Sequence, residues 1–237
     1  MIRQSLLAFA GAGLLVSGPM SAPAGAQAQE APKVAIPDPG VPEVMTIEGR
    51  YVRAAYNNEG YVILGYKLAN LSVGEEWLLL EVGLALRERT KDYTLKRDAV
   101  SLDVPDGKTI PLATTPEFRA GDTRALKARE RVQRDSINYF PPNAYQACSI
   151  QFFPDLEQRA MAWDQVELDN HRACLGRFFF KVPGGVTYGQ HWLNVKFAES
   201  TVRVPFRILT KDEDKFLDKN FKSIKKQVDE AFKPKKK

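Results

Sequence analysis

Three residues with metal-ligating or acid–base side chains stand close together in the second half of the chain. Glu167, Asp169 and His171 occupy every second position. In a β-strand, side chains at every second position point to the same face of the sheet. Two carboxylates and an imidazole on one face could hold a divalent cation or serve as acid and base. The solvent-exposed face of an edge strand has the same alternation, so both interpretations stay open.

A second group of candidate residues is cationic and falls in a segment that the sequence predicts to be helical. Its members follow one another at spacings of three, four and three residues: Arg124, Lys127, Arg131 and Arg134. On a helix this spacing aligns them along one face, where they could bind an anionic polymer or a lipid headgroup. Glu130 and Asp135 are close in sequence and could neutralise the stripe, which would leave an ordinary solvated helix face.

The chain has two cysteines, Cys148 and Cys174. In an exported protein an even number of cysteines indicates a disulfide. The alternative is a metal site, because His171 precedes Cys174 by three residues and His191 is the other histidine. Zinc sites normally have closely spaced cysteine pairs such as C-x-x-C, which this sequence lacks, so the pattern favours the disulfide.

Enzyme motifs are missing from the sequence. It contains no G-x-S-x-G, H-E-x-x-H, P-loop or G-x-G-x-x-G pattern, which are the local signatures of several hydrolase and nucleotide-binding sites. We therefore identify no catalytic residue and expect no cofactor. A hydrolase or metal-binding domain would need the Glu167, Asp169 and His171 group.

Residues 1–28 have the pattern of a cleavable signal peptide. Arg3 is followed by a short apolar run over 6–16, then by Gly-Pro and a small-residue stretch. The run is about half the roughly 20 residues that a membrane-spanning helix needs. Cleavage after Ala26 or Ala28 fits the A-x-A rule. We expect a periplasmic or extracellular protein that is free in solution.

The net charge of +5 is concentrated near the C-terminus. Residues 211–237 contain ten lysines and six acidic residues, whereas the body before them is nearly neutral. The basic character is therefore no argument that the body binds nucleic acid, and no nucleic-acid partner is expected. A hydrophobic content of 44% predicts a folded domain rather than a disordered chain.

The elements that must position these residues are mostly strands. Residues 29–45 are rich in proline and predict an extended linker. Strands are predicted from β-branched and aromatic runs and their turns at 51–56, 61–68, 99–104, 109–112, 147–153, 165–170, 175–182, 190–198 and 201–209. The apolar segment 77–87 follows a helix-type capping pattern, but a strand buried on both faces fits it better.

Two helices complete the prediction. A helix start at 115–117 and a helix over 122–137 form an insertion near 116–138. The segment 212–232 has Leu217, Phe221, Ile224 and Val228 on one face, which indicates an amphipathic helix that docks on its own domain or dimerises. A lysine-rich helix of this kind could also lie on a membrane surface.

The predicted fold class is mainly β. Short strands at regular spacing over 46–210 resemble an immunoglobulin-like β-sandwich in general shape, without its Cys–Trp–Cys pattern, carrying the inserted α-helix. The remainder, 211–237, is the C-terminal amphipathic helix and a basic tail.

The function that these features favour is an exported, non-enzymatic binding or protein-interaction module. Its partner would be an unidentified protein or envelope component. The first alternative is an accessory factor that makes peripheral contact with an anionic membrane or polymer through the basic helix and tail. The second is a cryptic metal-binding domain or hydrolase. A homodimer formed through the C-terminal helix fits any of the three.

Overall fold

The computed structural model describes residues 44–155 and 161–232. The predicted signal peptide 1–28, the linker up to residue 43 and the basic tail 233–237 lie outside these ranges. The described residues contain more strand than helix, so the predicted mainly β class is confirmed. The strands are β1 (Val44–Gly49), β2 (Val52–Tyr56), β3 (Gly60–Gly65), β4 (Trp77–Leu86), β5 (Tyr93–Lys96), β6 (Val100–Asp103), β7 (Thr109–Pro111), β8 (Gln146–Ile150), β9 (Gln165–Leu168), β10 (Arg172–Lys181), β11 (Gly189–Lys196) and β12 (Thr201–Ile208).

The largest sheet has six strands in the order β1-β2-β3-β4-β10-β8. Strands β1 to β4 are consecutive and antiparallel, and β10 is antiparallel to β4. β8 closes the sheet as an edge strand parallel to β10. Every residue of β4 is buried because strands flank it and other elements cover both of its faces. The ambiguous segment 77–87 is therefore a central strand.

A second sheet has four antiparallel strands in the order β12-β11-β6-β7, and β5 pairs with β9 in a two-stranded sheet. One hydrophobic cluster takes side chains from both larger sheets, among them Leu64, Leu84 and Phe178 from the first and Leu193 and Val204 from the second. Alternation of apolar residues along these strands produces this shared core, because every second side chain of a strand turns inward.

Four helices lie in the described residues: α1 (Lys67–Asn70), α2 (Thr115–Ala120), α3 (Arg124–Gln133) and α4 (Lys211–Ala231). The hydroxyls of Thr114 and Thr210 cap the N-termini of α2 and α4, each in a capping box with a glutamate three residues later. Residues 97–99 form one turn of 3₁₀ helix.

Helices α2 and α3 and the segment after them cover the face of the six-stranded sheet that points away from the shared core. The Phe118 ring of α2 packs at a tilt against the rings of Phe153 and Phe179, with centroids 4.9 and 4.7 Å away. Farther along the same face, Ile137 and Phe140 pack on a small cluster that includes Ile63. The insertion is thereby anchored by aromatic and aliphatic burial at both of its ends.

Most predicted strands are present, but β1 and β5 were not predicted. β1 begins at Val44, two residues inside the predicted linker. The strand predicted over 61–68 ends at Gly65, because Tyr66 leaves the extended conformation and the next residues form α1, which buries Leu68. β8 ends at residue 150 rather than 153, and β10 begins at residue 172 rather than 175. β5 was missed although its residues alternate between apolar and polar, because a run of four is too short for the pattern to stand out.

The inserted helix is shorter than predicted. It spans Arg124–Gln133 rather than 122–137, and Arg134 already has an extended backbone. Continuing the helix would carry Ile137 and Phe140 away from the sheet face, where both now pack. The start predicted at Thr115 is displaced by one residue, since Thr114 is the capping residue.

Candidate functional site

A groove of about 1080 Å³ lies between α3 and the face of the six-stranded sheet that α3 covers. We call it the α3 groove. The four cations of the predicted stripe all line it: Arg124, Lys127, Arg131 and Arg134. β10 and the end of β8 form the opposite wall, where Ser149, Ile150 and Leu175 are found. The structure therefore brings the predicted cationic stripe together at one concave surface.

Aromatic packing and a buried leucine position the stripe beside the sheet. Phe118 packs on Phe179 of β10, and Leu126 of α3 is 2% exposed. Arg129, on another side of α3, donates to the carbonyl of Leu71 at 3.0 Å and pairs with Glu75. These contacts fix the rotation of α3 about its axis, so that the cationic face is turned toward the groove.

The cations differ in their surroundings. The Arg124 side chain is 92% exposed and pairs with Asp122 at 3.3 Å, a surface ion pair of small energetic value. Arg131 and Arg134 are also exposed. The Lys127 ammonium lies 4.5 Å from the centroid of the Phe118 ring, and burial lowers its pKa. Arg124, Arg131 and Arg134 are thus the exposed members of the stripe, and Lys127 is the half-buried one.

Acidic residues lie deeper, at the floor of the groove. Glu130 is 6% exposed and accepts a hydrogen bond from Arg177 at 3.2 Å. Arg177 also pairs with Asp155 at 3.1 Å. Glu130 was considered as a neutralising neighbour of the stripe, but its carboxylate pairs with Arg177 of β10. The buried charge of Glu130 is therefore balanced from the sheet.

Among the acidic residues of the groove floor, Glu81 has the most strongly shifted pKa. It interrupts the apolar sequence of β4 and stands opposite Arg177 in the strand pairing. Its carboxylate accepts a hydrogen bond from the backbone amide of Asp135 at 3.2 Å. Burial, and then the nearby charge of Glu130, raise the pKa of Glu81 to about 7. Such a carboxyl can hold or release a proton near neutral pH.

The Glu167, Asp169 and His171 group does not form the single strand face that was predicted. β9 ends at Leu168, so the prediction of a strand through residue 170 is wrong. The chain turns there because the Asp169 carboxylate accepts the amides of His171 and Arg172, at 2.8 and 2.9 Å.

The same carboxylate pairs with the Arg172 guanidinium at 3.0 Å. The His171 ring stacks near Tyr145, with centroids 5.3 Å apart, and Glu167 is exposed. Within residues 44–155 and 161–232, no three His, Cys, Asp or Glu side chains are grouped so that they could hold a metal ion.

The predicted disulfide between Cys148 and Cys174 is confirmed. The two residues are direct partners in the parallel pairing of β8 with β10, and their Cα atoms are 4.1 Å apart. No free cysteine is present in the described ranges, so the thiolates of the alternative metal site do not exist there. The bond ties the edge strand of the six-stranded sheet to its neighbour beside the α3 groove.

The apolar face of α4 lies against β1 and the turn that follows it. Leu217 is buried, and Phe221, Ile224 and Val228 are half-buried. Polar contacts support this packing. Arg50 forms ion pairs with Asp214 at 2.9 Å and with Asp218 at 2.8 Å. The Tyr51 hydroxyl donates to Asp214, and the Lys225 ammonium donates to the Ile47 carbonyl.

Sequence reasoning missed the floor of the groove. Glu130 was considered only as a neighbour of the stripe, and neither Glu81 nor Arg177 was singled out. Their roles depend on the pairing of β4 with β10, which brings together residues almost a hundred positions apart. The one available signal was the carboxylate of Glu81 within an apolar strand, since a buried charge needs a partner or a shifted pKa.

Comparisons with protein-family models, with curated protein sequences and with solved structures found no match. Among the described residues, no helix is both long enough and apolar enough to cross a membrane. The geometry and charge of the α3 groove and of α4 are therefore the guides to function.

Proposed function

We propose that this chain is an exported, non-enzymatic binding protein that takes an anionic partner into the α3 groove. The observation that carries the proposal is the placement of all four stripe cations along one groove. The three arginines of the stripe are exposed, whereas Glu81 and Glu130 are 8% and 6% exposed and Asp135 and Asp155 are half-buried. An anionic ligand would meet the arginines before it met the two glutamates, which favours its attraction into the groove.

Export is part of the proposal and has two supports. One is the signal-peptide pattern of residues 1–28, and the other is the disulfide, which persists in oxidising compartments. A periplasmic or extracellular location would satisfy both.

For the fold we propose a β-sandwich of immunoglobulin-like shape, because the two larger sheets share one core. The run of four consecutive strands in one sheet differs from the Greek-key connections of immunoglobulin domains.

The test is a binding titration with a fluorescent oligoglutamate peptide, followed by anisotropy. Charge reversal of Arg124 and Arg134 to glutamate should weaken binding roughly tenfold, because two favourable surface interactions become repulsive. Higher salt should also weaken it, since the Debye length is about 10 Å at 0.1 M and shortens as the ionic strength rises.

The matched control reverses two exposed cations outside the groove, Arg89→Glu with Lys96→Glu. It changes the net charge by the same amount and should leave the affinity almost unchanged. Equal weakening by both pairs would mean that net charge alone attracts the peptide. Failure of the unmodified protein to bind oligoglutamate would remove the α3 groove as an anion site.

A second candidate function uses α4. Four of its lysines are exposed at spacings of four, three and four residues: Lys215, Lys219, Lys222 and Lys226. This stripe favours contact with an anionic membrane or polymer, as juxtamembrane basic segments make. A vesicle-binding measurement with α4 variants separates this candidate from the α3 groove.

A further inference from the structure

The edge strand β8 differs from the other edge strands of the described residues. Exposed sheet edges are normally protected by charged residues, by proline or by a covering element. β12 contains Arg203, Pro205 and Arg207, and β7 ends with Pro111. β5 and β9 carry Lys96 and Glu167, and β1 is covered by α4. β8, with the sequence QACSI, contains no charged residue and no proline.

β8 is also accessible. Gln146, Ala147 and Ser149 are exposed, and β8 pairs with β10 on one side only among the described residues. The Gln146 amide donates to the His171 carbonyl at 2.8 Å, which directs the amide of Gln146 toward β10. Because hydrogen-bonding directions alternate along a strand, the amides of Ala147 and Ser149 point away from β10.

A disulfide holds β8 in place, so that its outer edge can pair with another strand. The Cys148–Cys174 disulfide joins β8 to β10 at the centre of the pairing, between residues that are in register. An unsupported five-residue edge strand would fray easily, since local opening costs least at sheet edges. A covalent link there keeps the outward backbone groups ordered for another strand.

The α3 groove continues from this edge. Ser149 and its pairing partner Leu175 both line the groove, and Leu175 is 41% exposed. Residues paired across a sheet share a face, so the face of β8 that carries Ser149 looks into the groove. A strand added next to β8 would place every second side chain on that face, near the cations of α3.

We propose that β8 binds an extended acidic segment of a partner protein by β-strand addition, with alternate acidic side chains directed into the α3 groove. This inference rests on the proposed anion-binding function and specifies its ligand class. Main-chain hydrogen bonds to Ala147 and Ser149 supply affinity, and the alternation of side chains supplies specificity. The stripe cations select carboxylates on the groove side, and β-branched residues at the alternate positions favour the extended conformation.

The experiment compares two peptides of the same composition by calorimetric titration. One alternates glutamate and valine over about eight residues, long enough to span β8. The other carries the same residues in two blocks. The alternating peptide should bind roughly tenfold more tightly, which corresponds to one or two additional hydrogen bonds. Two further versions of it, N-methylated at odd or at even positions, test the backbone contacts. One version should bind as the parent does, and the other should lose binding.

The protein-side test is Ser149→Glu, with Ser149→Gln as the matched control. The glutamate adds a charge at the edge and on the groove face and should abolish binding of the alternating peptide, whereas the glutamine should retain it. Circular dichroism melting of both variants verifies that they fold. If Ser149→Glu does not fold, the two N-methylated peptides decide the question with the unmodified protein.

The outcomes separate this inference from the proposed function. Equal binding of alternating and block peptides, or of both methylated versions, would overturn strand addition and leave an anion-binding groove. Absence of binding by these peptides and by oligoglutamate would overturn both strand addition at β8 and anion binding in the α3 groove. Conversion of a dimer to a monomer by Ser149→Glu in sedimentation, without a change in peptide binding, would identify a second copy of the chain as the occupant of β8 and overturn the proposal.

Discussion

At the scale of single residues, Glu81 shows how an environment changes the chemistry of a carboxyl group. Its side chain lies on the sheet face beneath α3, beside Glu130 and close enough to Arg134 for a favourable charge interaction. Arg177, its partner in the strand pairing, hydrogen-bonds instead to Glu130 and Asp155. Burial and the charge of Glu130 outweigh the amide hydrogen bond from Asp135, so the pKa rises from 4.5 to about 7.

The raised pKa predicts a pH-dependent stability that Glu81→Gln removes. Between about pH 4.5 and 7 the unfolded chain has lost the Glu81 proton while the folded protein keeps it. The stabilisation is therefore complete below the unfolded pKa and is lost as the pH rises through 7. Glutamine accepts the same hydrogen bond without titrating. The variant should become the more stable protein above neutral pH, by about 2 kcal/mol after allowance for partial solvation.

Urea unfolding of both proteins across the pH range measures this difference. Glu167→Gln removes an exposed carboxylate and serves as the control. A stability difference between Glu81→Gln and the unmodified protein that does not change with pH would contradict the raised pKa of Glu81.

At the scale of elements, the disulfide stabilises the pairing of β8 with β10. The sequence separation of the two cysteines is 26 residues. Closing such a loop in the unfolded chain is worth about 3–4 kcal/mol in the chain-entropy treatment. Since β8 has a strand neighbour on one side only within residues 44–155 and 161–232, it depends on this bond more than the inner strands would.

We predict that Cys148→Ala with Cys174→Ala lowers the free energy of unfolding by about 3–4 kcal/mol. Amide hydrogen exchange should accelerate in β8 more than in β4, because the edge strand opens locally before the whole molecule unfolds. Treatment of the unmodified protein with a reductant should reproduce the loss, and the double variant should not respond. A loss below about 1 kcal/mol with unchanged exchange would show that the sheet holds β8 without the bond.

At the scale of the whole molecule, the two faces of α4 have different surroundings. The helix covers the β1 edge with one face and exposes its lysine stripe on another. Phe216 is 64% exposed and lies outside the covered face. The arrangement leaves three outcomes to distinguish experimentally: stable docking, association of two copies, and insertion of the apolar face into a membrane surface.

The variant Phe221→Asp with Ile224→Asp tests them together. Both side chains are half-buried, so docking predicts a loss of roughly 2–4 kcal/mol and a lower melting temperature. A dimer formed through this face would also become a monomer in sedimentation. The control, Phe216→Asp with Ser223→Asp, places the same charges at exposed positions and should change stability little.

Binding to anionic vesicles completes the test. An unchanged melting temperature and mass, together with loss of vesicle binding, would contradict docking and identify α4 as an interfacial anchor. Loss of stability with unchanged vesicle binding would support docking and assign the vesicle contact to residues outside the apolar face, whereas absence of vesicle binding by the unmodified protein would remove α4 as a membrane site and leave the α3 groove as the better-supported site.

Local patterns were sufficient for several features. The hairpin of β6 and β7 was predicted from its Pro-Asp-Gly turn, and α4 was predicted almost to the residue from its apolar spacing. The disulfide was predicted from the even number of cysteines and the expected export of the chain. For the hairpin and α4, neighbouring residues contain the information, because turn propensity and helical periodicity act over a few positions.

The arrangement around β8 depended on tertiary structure instead. That β8 lies parallel to β10, that Arg177 faces Glu81, and that the helix ends at Gln133 all follow from contacts between distant parts of the chain. The sequence by itself determined the mainly β class, the cationic stripe and the disulfide. Only the folded sheet decided that the stripe borders a groove with buried glutamates beside an edge strand that has no charged residue or proline, because strand pairing between remote segments is chosen by the burial of the whole core.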